Sequence, residues 1–335
     1  MTIKIGINGL GRIGRMVIRS LIESKNKNIE IKHINNRSNS ETATLLLKRD
    51  SVHGQLIADL DFGDNYIKIN NKKIPYSQET GINKINWKKS SVDYVLECTG
   101  KFNSKEKSLA HIKSGGTKKV IVSAPCKNAD KTIVYGVNHK SINKNDLIIS
   151  AASCTTNCLA PVANVINEVF KIEKGFMTTI HSYTADQRLL DNSHKDPRRA
   201  RSAGQSIIPT STGASKTLGE IIPELKGKLE GLAIRVPTPN VSLVDFVFNS
   251  KSKLSVKKIN DSFIRASKKE LKNVLDITDE KLVSVDFNHN PNSAIVDLSL
   301  TNVVGNNMGK VSAWYDNEWG FASRMCDLAE YIHKI

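Results

Sequence analysis

Apolar residues in the first half of the chain fall in short runs, with stretches of helical spacing between them. Strands that alternate with helices are typical of βαβ units, so the runs predict a parallel, doubly wound α/β sheet. The stretch Met16–Ile22 has the period of a helix. The predicted strands are Ile3–Asn8, Ile29–Asn35, Val92–Cys98, Val120–Ser123, Ile133–Val137 and Leu147–Ala151.

The pattern changes after Ser150. A helix is predicted to begin near Cys154, and the longer alternating runs that follow indicate an α+β domain with a mixed, mostly antiparallel sheet. The last segment, Glu318–Ile332, is spaced like an amphipathic helix. Since 335 residues are about twice a typical domain, we expect two domains: 1–153, completed by a C-terminal helix 318–335, and 154–317. The second domain's predicted strands include Met177–Tyr183, Leu232–Val236 and Val241–Phe248.

Composition excludes some classes of protein. No apolar run approaches the roughly 18 residues of a membrane-spanning helix, and the first residues enter a predicted strand, which leaves no room for a cleavable leader. Five cysteines without zinc-site spacing indicate reduced thiols in a cytosol and no metal site. The net charge of +16 would suit nucleic acid, but Lys and Arg are spread among abundant Asn and Ile, so biased residue usage or small anionic substrates are favoured.

A glycine motif joins the first predicted strand to the first helix. Gly9-Leu10-Gly11-Arg12-Ile13-Gly14 has the G-x-G-x-x-G spacing in the context that a dinucleotide site requires. The glycines permit a tight turn and close approach to a pyrophosphate, and the helix N-terminus offers free N–H groups. The motif predicts an N-terminal Rossmann domain, and an ordinary strand–turn–helix connection is the alternative.

The second predicted strand ends without the acidic residue that usually binds the adenosine ribose of NAD. At that place the chain has Asn35-Asn36-Arg37-Ser38. Asn36 would not repel the 2′-phosphate of NADP, and Arg37 or Ser38 can donate hydrogen bonds to it. Because Asn also bonds a ribose, a neutral change at a surface turn is the alternative.

Cys154 is the candidate nucleophile. The segment Ser150–Cys158 runs from a strand into a helix, so Cys154 lies near the helix N-terminus, where the dipole favours a thiolate. Ser153 and Thr155 supply donors for an oxyanion or a phosphate. Cys158, in an apolar neighbourhood, is typical of a buried structural cysteine.

The run Ala152–Cys158 resembles the active-site signature of glyceraldehyde-3-phosphate dehydrogenases, and the resemblance covers essentially the whole chain. It implies reversible, phosphorylating oxidation of D-glyceraldehyde 3-phosphate to 1,3-bisphosphoglycerate in glycolysis or gluconeogenesis, by a cytoplasmic homotetramer. The other matching motifs are Asn8–Arg15, Asp50–Gly54, Thr179–Thr184, Asp186–Gln187, Arg198–Arg201, Ser211–Ala214, Arg235–Val241 and Trp314–Gly320.

The resemblance also implies roles. His181 would pair with Cys154, lower its pKa as imidazolium and then transfer protons, while Cys154 forms a hemithioacetal and, after hydride transfer to the nicotinamide, a thioester that phosphate attacks. Thr184 and Arg235, with the cofactor, would bind the substrate phosphate, and Asp186 would be one of the substrate- or phosphate-binding residues. The inorganic phosphate would be bound by Ser153, Thr155, Arg199, Thr212 and Gly213.

Two departures from the family pattern bear on the cofactor. Asn36 replaces the acidic residue, and Ser193 stands where NAD-dependent members typically carry Pro and where NADP-using members place a Ser that reaches the 2′-phosphate across a subunit contact. We therefore expect NADP preference or dual use. Phe321 occupies a place where Tyr is frequent. The implied cofactor contacts are Asn8, Gly9, Gly11, Arg12, Ile13, Asn36, Arg37, Ser38, Thr99, Gly100, Ser123, Ser193 and Asn317.

Two other functions are the alternatives. Erythrose-4-phosphate dehydrogenase shares the fold and the Cys/His pair, but the run Thr210–Ala214 keeps a Thr-Gly phosphate site from which such relatives depart. A basic protein that has lost catalysis and binds RNA or a partner is the other, and the retention of Cys154, His181 and both phosphate sets disfavours it.

Overall fold

The computed structural model describes residues 2–335, which form two compact units. The first unit comprises the chain up to Tyr135 together with His139–Ser153 and Ala322–Ile335. The second unit comprises Gly136–Asn138 and Cys154–Phe321.

The first unit is built on a nine-stranded sheet in the order β10-β11-β9-β8-β1-β2-β7-β6-β5. The strands from β10 to β7 pair in parallel, and β5, β6 and β7 pair antiparallel at one edge. The predicted parallel sheet is confirmed. Its elements are β1 (Ile3–Asn8), α1 (Arg12–Glu23), β2 (Ile29–Asn35), α2 (Ser40–Lys48), β3 (Arg49–Asp50), β4 (Gly54–Gln55), β5 (Leu60–Gly63), β6 (Tyr66–Ile69), β7 (Lys72–Ser77), β8 (Tyr94–Glu97), α3 (Lys105–Ser108), α4 (Ala110–Lys113), β9 (Lys119–Val122), β10 (Lys131–Thr132) and β11 (Ile148–Ser150), with 3-10 turns at Ile82–Lys84, Lys88–Ser90 and His139–Ser141.

One predicted strand of this unit is wrong. The apolar run Ile133–Val137 is not a strand, and the sheet instead takes up Lys131–Thr132 as β10. Ile133 and Val134 are fully buried, but Gly136 has a φ of +89°, which turns the chain out of the extended conformation. Burial and a positive φ together produce an apolar segment without a strand.

The second unit contains a seven-stranded sheet in the order β13-β14-β12-β15-β18-β17-β16. Two of its pairings, β12 with β14 and β16 with β17, are parallel, and the other four are antiparallel, which confirms the predicted mixed, mostly antiparallel sheet. The elements are α5 (Cys154–Phe170), β12 (Ile172–Ser182), β13 (Ile208–Ser211), α6 (Ala214–Ile221), β14 (Leu229–Val236), β15 (Ser242–Ser250), α7 (Val256–Lys268), β16 (Leu275–Thr278), β17 (Ala294–Val304) and β18 (Met308–Tyr315), with 3-10 turns at Pro223–Leu225 and Ser284–Phe287. The last helix, α8 (Trp319–Lys334), belongs to the first unit from Ala322 onward.

Alternation along β15 shows how this sheet buries one face. Every second residue from Ser242 to Ser250, counting Ser242 itself, is buried, and the residues between them are half-buried. Phe246 stacks on Phe248 on the buried face, with ring centroids 5.4 Å apart. α5 is buried along most of its length, which fixes its first residue, Cys154. Among residues 2–335, no helix is both long enough and apolar enough to cross a bilayer.

Candidate active site and cofactor site

Cys154 is the first residue of α5 and is half-buried. The backbone reaches it through Ala152, which is fully buried and has a φ of +59°, a conformation that costs a non-glycine residue energy and is common at functional sites. Burial raises the pKa of the Cys154 thiol, and Arg235 and backbone N–H groups at the helix start offset part of that rise. Cys158, one turn later, is fully buried, as the sequence indicated.

His181, near the end of β12, lies beside this thiol. Its Nε2 is 3.5 Å from Cys154 Sγ, and its Nδ1 is 2.7 Å from the carbonyl oxygen of Ser182. Arg235 Nη1 is 3.1 Å from the same carbonyl and 2.8 Å from Nδ1. Nδ1 thus faces an acceptor, the Ser182 carbonyl, and a donor, Arg235 Nη1. In the tautomer that carries its proton on Nδ1, the ring donates to Ser182, Arg235 bonds the Ser182 carbonyl instead of the ring, and Nε2 can accept the proton of Cys154.

Burial opposes charge on both members of this pair. It raises the pKa of the Cys154 thiol, although Arg235 lowers it in part, and burial together with Arg235 lowers the pKa of His181 to about 3. Lowering the pKa of His181 from 6.5 costs its charged form about 5 kcal/mol. Opposite charges 3.5 Å apart attract by about 5 kcal/mol at an effective dielectric of 20. This attraction offsets the cost of charging His181 but not the further cost of ionising the buried thiol, so the neutral pair is favoured before substrate binds.

Tyr315 is a site residue to which sequence reasoning gave no role. Its hydroxyl is 2.9 Å from both Thr155 Oγ1 and Thr179 Oγ1, and its ring meets the His181 ring edge-on at 5.9 Å between centroids. Burial raises the pKa of Tyr315 far above its usual value, so the phenol stays protonated. Tyr315 thus locks Thr155 beside the nucleophile, and only its place in the Trp314–Gly320 motif could have signalled this.

Asn317, predicted to contact the nicotinamide, is held by two serines that the sequence did not single out. Its Oδ1 accepts hydrogen bonds from Ser182 Oγ at 2.8 Å and Ser242 Oγ at 2.9 Å. The orientation of the amide is therefore fixed, with its NH₂ group left as a donor. Ser242 follows Val241, whose φ of +66° is a rare conformation for a β-branched residue.

Of the residues predicted for the substrate phosphate, Arg235 contacts His181, and Thr184 lies two residues beyond β12. Thr184 donates from its N–H and its hydroxyl to Gln187 Oε1, at 3.0 Å each. The buried Gln187 Nε2 has no hydrogen-bond partner in the structure. Gln187 therefore orients Thr184, a role that the motif Asp186–Gln187 alone did not reveal.

Arg199 joins several of the residues predicted for the phosphate sites. Its guanidinium donates to Asp186, to Thr210 Oγ1 at 2.8 Å and to the carbonyl of Ser211 at 3.1 Å. Burial alone would raise the pKa of Asp186, but Arg199 holds it below its ordinary value. Asp186 therefore meets Arg199 as a carboxylate and balances its charge.

The remaining predicted phosphate residues lie at helix starts. Thr212 Oγ1 accepts from the N–H of Ala214 at 3.2 Å, and Gly213, at the N-terminus of α6, has open space where a Cβ would be. Ser153 and Thr155 flank Cys154 at the start of α5, where Thr155 is buried and Ser153 is half-buried. Both helix starts present backbone N–H groups, which suit phosphate oxygens.

The glycine motif of the first unit fits a dinucleotide. Gly9 has a φ of +95°, and a Cβ on Gly14 would lie 2.0 Å from the carbonyl oxygen of Gly9, so neither position accepts a side chain. The motif opens onto a cavity of about 370 Å³. Six predicted cofactor residues line it: Asn8, Gly9, Gly11, Asn36, Arg37 and Thr99.

Hydrogen bonds hold Asn36 in the place of the missing acidic residue. Asn36 Oδ1 accepts from the N–H of Leu10 at 3.1 Å, and its Nδ2 donates to Ser38 Oγ at 2.7 Å. Since Ser38 Oγ accepts this bond, its own hydrogen remains free to donate. Arg37 is exposed at the edge of the cavity, so its guanidinium is free to meet an anion.

Other predicted cofactor residues are placed less directly. Arg12 forms a bidentate ion pair with Asp50, with Nη1–Oδ2 of 2.5 Å, so its guanidinium is already paired with a carboxylate. Ile13 lies in the first turn of α1, Gly100 turns the chain after β8, and Ser123 donates its N–H to the backbone carbonyl oxygen of Glu97. Ser193 and Asn317 belong to the second unit, where Ser193 is exposed. The lining residues that were not among the predicted cofactor contacts are Asn35, Glu79, Thr80, Ile82, Ile85, Cys98, Lys101 and Phe102.

Within residues 2–335, no group of three or more His, Cys, Asp or Glu side chains could hold a metal ion. The fold and the two sites define a class: a dinucleotide-dependent oxidoreductase. Sequence comparison then gives the family. Residues 3–105 match the model of the glyceraldehyde 3-phosphate dehydrogenase NAD binding domain, and residues 153–317 match that of the C-terminal domain.

Curated relatives agree over the whole length. The chain is 50% identical to glyceraldehyde-3-phosphate dehydrogenase of Cereibacter sphaeroides and 49% identical to that of Xanthobacter flavus, covering 100% of each chain. It is 48% identical to glyceraldehyde-3-phosphate dehydrogenase 2 of Bacillus subtilis (strain 168), covering 99% of this chain and 97% of that one. The chain belongs to the glyceraldehyde-3-phosphate dehydrogenase family, and these findings give no support to the erythrose 4-phosphate alternative.

Proposed function

We propose that the protein catalyses the reversible, phosphorylating oxidation of D-glyceraldehyde 3-phosphate to 1,3-bisphosphoglycerate, in glycolysis or gluconeogenesis. The observation that carries the proposal is the 3.5 Å contact between Cys154 Sγ and His181 Nε2 at the start of α5. A thiol beside a base at a helix N-terminus is the arrangement that a covalent aldehyde oxidation needs. Family membership supplies the substrate.

Cys154 and His181 would share the chemistry between them. The thiol gives its proton to His181 Nε2, and the thiolate attacks the aldehyde carbon. N–H groups at the start of α5 stabilise the resulting oxyanion until His181 returns the proton to it and completes the hemithioacetal. His181 then accepts the hemithioacetal hydroxyl proton as the carbon loses hydride. A bound nicotinamide dinucleotide supplies the hydride acceptor. Inorganic phosphate attacks the resulting thioester, and the C–S bond breaks to release an acyl phosphate and the Cys154 thiolate.

Two anion sites would hold the two phosphates. Thr184 and Arg235, with Asp186 nearby, bind the substrate phosphate, and hydroxyl and guanidinium donors are the right chemistry for it. Ser153, Thr155, Arg199, Thr212 and Gly213 bind the attacking phosphate. The Arg199–Asp186 pair supports this role, because a phosphate can replace the carboxylate as the partner of the guanidinium.

The cofactor would be NADP in preference to NAD, or both. Asn36 carries no charge, Arg37 is exposed at the cavity edge, and Ser38 keeps a free hydroxyl hydrogen. These three groups suit a 2′-phosphate. Ser193 of a neighbouring subunit adds a donor, and the Asn317 amide contacts the nicotinamide carboxamide.

We also propose a cytoplasmic homotetramer with a cofactor domain of residues 1–153 and 318–335 and a catalytic domain of residues 154–317. Leu189 and Leu190, close to Ser193 in sequence, are 84% and 72% exposed. Adjacent apolar side chains this exposed favour coverage by another copy of the chain. Light scattering with the purified protein tests the assembly, and a monomer would refute it.

The activity is tested by supplying D-glyceraldehyde 3-phosphate with NADP⁺ or NAD⁺ and following the reduced cofactor. We expect formation that requires inorganic phosphate and a product that hydroxylamine traps as an acyl phosphate. Phosphate-independent release of the free acid would refute the phosphorylating assignment.

A further inference from the structure

A row of buried polar side chains crosses three adjacent parallel strands of the first unit. Asn35 ends β2, Asn8 ends β1 and Glu97 ends β8, and the register aligns Asn8 with Asn35 on one side and with Glu97 on the other. All three residues are at most 3% exposed. Asn8 and Asn35 line the cofactor cavity together with the next residue of each strand end, and Glu97 lies behind them.

The hydrogen bonds along this row all run toward the Glu97 carboxylate. Asn35 Nδ2 donates to Asn8 Oδ1 at 2.8 Å, and Asn8 Nδ2 donates to Glu97 Oε2 at 2.6 Å. Thr99 donates to Glu97 Oε1 from its N–H at 2.8 Å and from its hydroxyl. His111 Nε2 lies 2.9 Å from Glu97 Oε2.

The direction at His111 is fixed by Trp87, which is fully buried. The indole Nε1–H of Trp87 can only donate, and it lies 2.9 Å from His111 Nδ1. Nδ1 must therefore accept, so the ring proton of the neutral His111 is on Nε2 and points at Glu97.

Backbone groups fix the other ends of the row. The N–H of Thr99 donates to Glu97, and the N–H of Glu79 donates to Asn35 Oδ1 at 2.9 Å, so the Asn35 amide cannot reverse. The row therefore accepts hydrogen bonds from three N–H groups that cannot become acceptors: the indole of Trp87 and the backbone N–H groups of Thr99 and Glu79. Only a side chain with two acceptor oxygens and no donor satisfies them all, which is why the position of Glu97 requires a carboxylate.

We propose that Glu97 is a positioning residue for the nicotinamide dinucleotide, and this inference rests on the proposed cofactor site. Its carboxylate fixes the relative positions of Asn8, Asn35 and Thr99, and with them the glycine turn, the ribose-binding turn and the turn after β8. Glu97 does not line the cavity. It acts through its neighbours on cofactor affinity, and it takes no part in the chemistry at Cys154.

The variant Glu97→Gln tests this role, because the amide places a donor against a donor in either orientation. An NH₂ group at Oε2 meets Asn8 and His111, and one at Oε1 meets the N–H of Thr99. We expect the KM for both NAD⁺ and NADP⁺ to rise about tenfold, with kcat and the KM for aldehyde and phosphate within about twofold of the wild type. The matched control, Glu106→Gln in α3, changes an exposed carboxyl of the same unit and should leave every constant unchanged.

A second variant covers the case in which Glu97→Gln does not fold. Ser77→Ala removes the hydroxyl that donates to Asn35 Oδ1 at 2.8 Å, while Asn35 keeps its bond from Glu79, so the cofactor KM should rise two- to threefold at constant kcat. A cofactor KM that stays at the wild-type value in both variants, or a kcat that falls as much as the KM rises, would overturn the proposal. A wild-type protein that binds neither dinucleotide in calorimetry would instead refute the proposed function.

Discussion

Replacing Asn36 by Asp tests which dinucleotide the first unit prefers. The new carboxylate can still accept from Leu10 N–H, but it cannot donate to Ser38, whose hydroxyl would turn to donate to it. The substitution therefore adds a negative charge beside the place proposed for the 2′-phosphate and takes away one of its donors. The side chain keeps its size, so packing is not disturbed.

The magnitude follows from Coulomb's law. Two unit charges 4 Å apart repel by about 1 kcal/mol in bulk water and about 4 kcal/mol at an effective dielectric of 20. Asn36 is half-buried, which places the penalty between these limits, at about 2 to 3 kcal/mol. The catalytic efficiency with NADP⁺ should fall about 30- to 150-fold.

The assay is kcat/KM for NADP⁺ and NAD⁺ at fixed aldehyde and phosphate. For Asn36→Asp we expect the stated loss with NADP⁺ and a value for NAD⁺ within about threefold of the wild type. Asn39→Asp is the control, since Asp also caps α2 and adds the same charge while the hydrogen bond between Asn36 and Ser38 is kept. An unchanged ratio in Asn36→Asp, or a wild type that clearly prefers NAD⁺, would refute the reasoning.

Three further substitutions address the active site and the stability of the fold. His181→Asn should lower kcat by about 10²- to 10⁴-fold and slow the alkylation of Cys154 by iodoacetamide at neutral pH; alkylation at the wild-type rate would exclude His181 as the base. Arg199→Gln should raise the KM for inorganic phosphate about tenfold without changing that for the aldehyde, and equal changes in both would contradict its assignment. Burial lowers the pKa of His33 to about 4. Between pH 6.5 and 4 the unfolded chain therefore binds more protons than the folded one, and stability decreases as the pH is lowered. In urea titrations across that window, His33→Gln should lose about 3 kcal/mol less unfolding free energy than the wild type, and an identical loss would count against this burial effect.

The sequence predicted the parallel sheet well because its strands are buried on both faces. Ile3–Asn8 and Ile29–Asn35 have the predicted bounds, since in each an isoleucine recurs every two or three positions and an Asn ends the run before a turn. The antiparallel strands β5, β6 and β7 were not predicted, because exposed lysines such as Lys72 and Lys73 interrupt the alternation of apolar and polar residues. A positive φ at Gly136, which hydrophobicity does not reveal, made the run after Thr132 misleading.

The residues next to Cys154 in the sequence were enough to predict it as the candidate nucleophile. The residues that position its neighbours lie far from it in the sequence. A cysteine between hydroxyl residues at a strand-to-helix junction is visible in a short window, and Cys154 begins α5 as expected. Tyr315 reaches Thr155 across 160 positions, and Ser242 reaches Asn317 across 75. Glu97 in turn looks like a lone carboxyl in an apolar strand, because its partner Asn8 lies 89 positions away.

The central claim is that Cys154 carries a phosphorylating oxidation of D-glyceraldehyde 3-phosphate. The most direct measurement compares the purified wild type with Cys154→Ser, each with and without inorganic phosphate, while the reduced cofactor and the acyl phosphate are quantified. We predict equal amounts of the two products from the wild type only when phosphate is present, and none from Cys154→Ser. Wild-type turnover to the free acid without phosphate, or full activity of Cys154→Ser, would contradict the account.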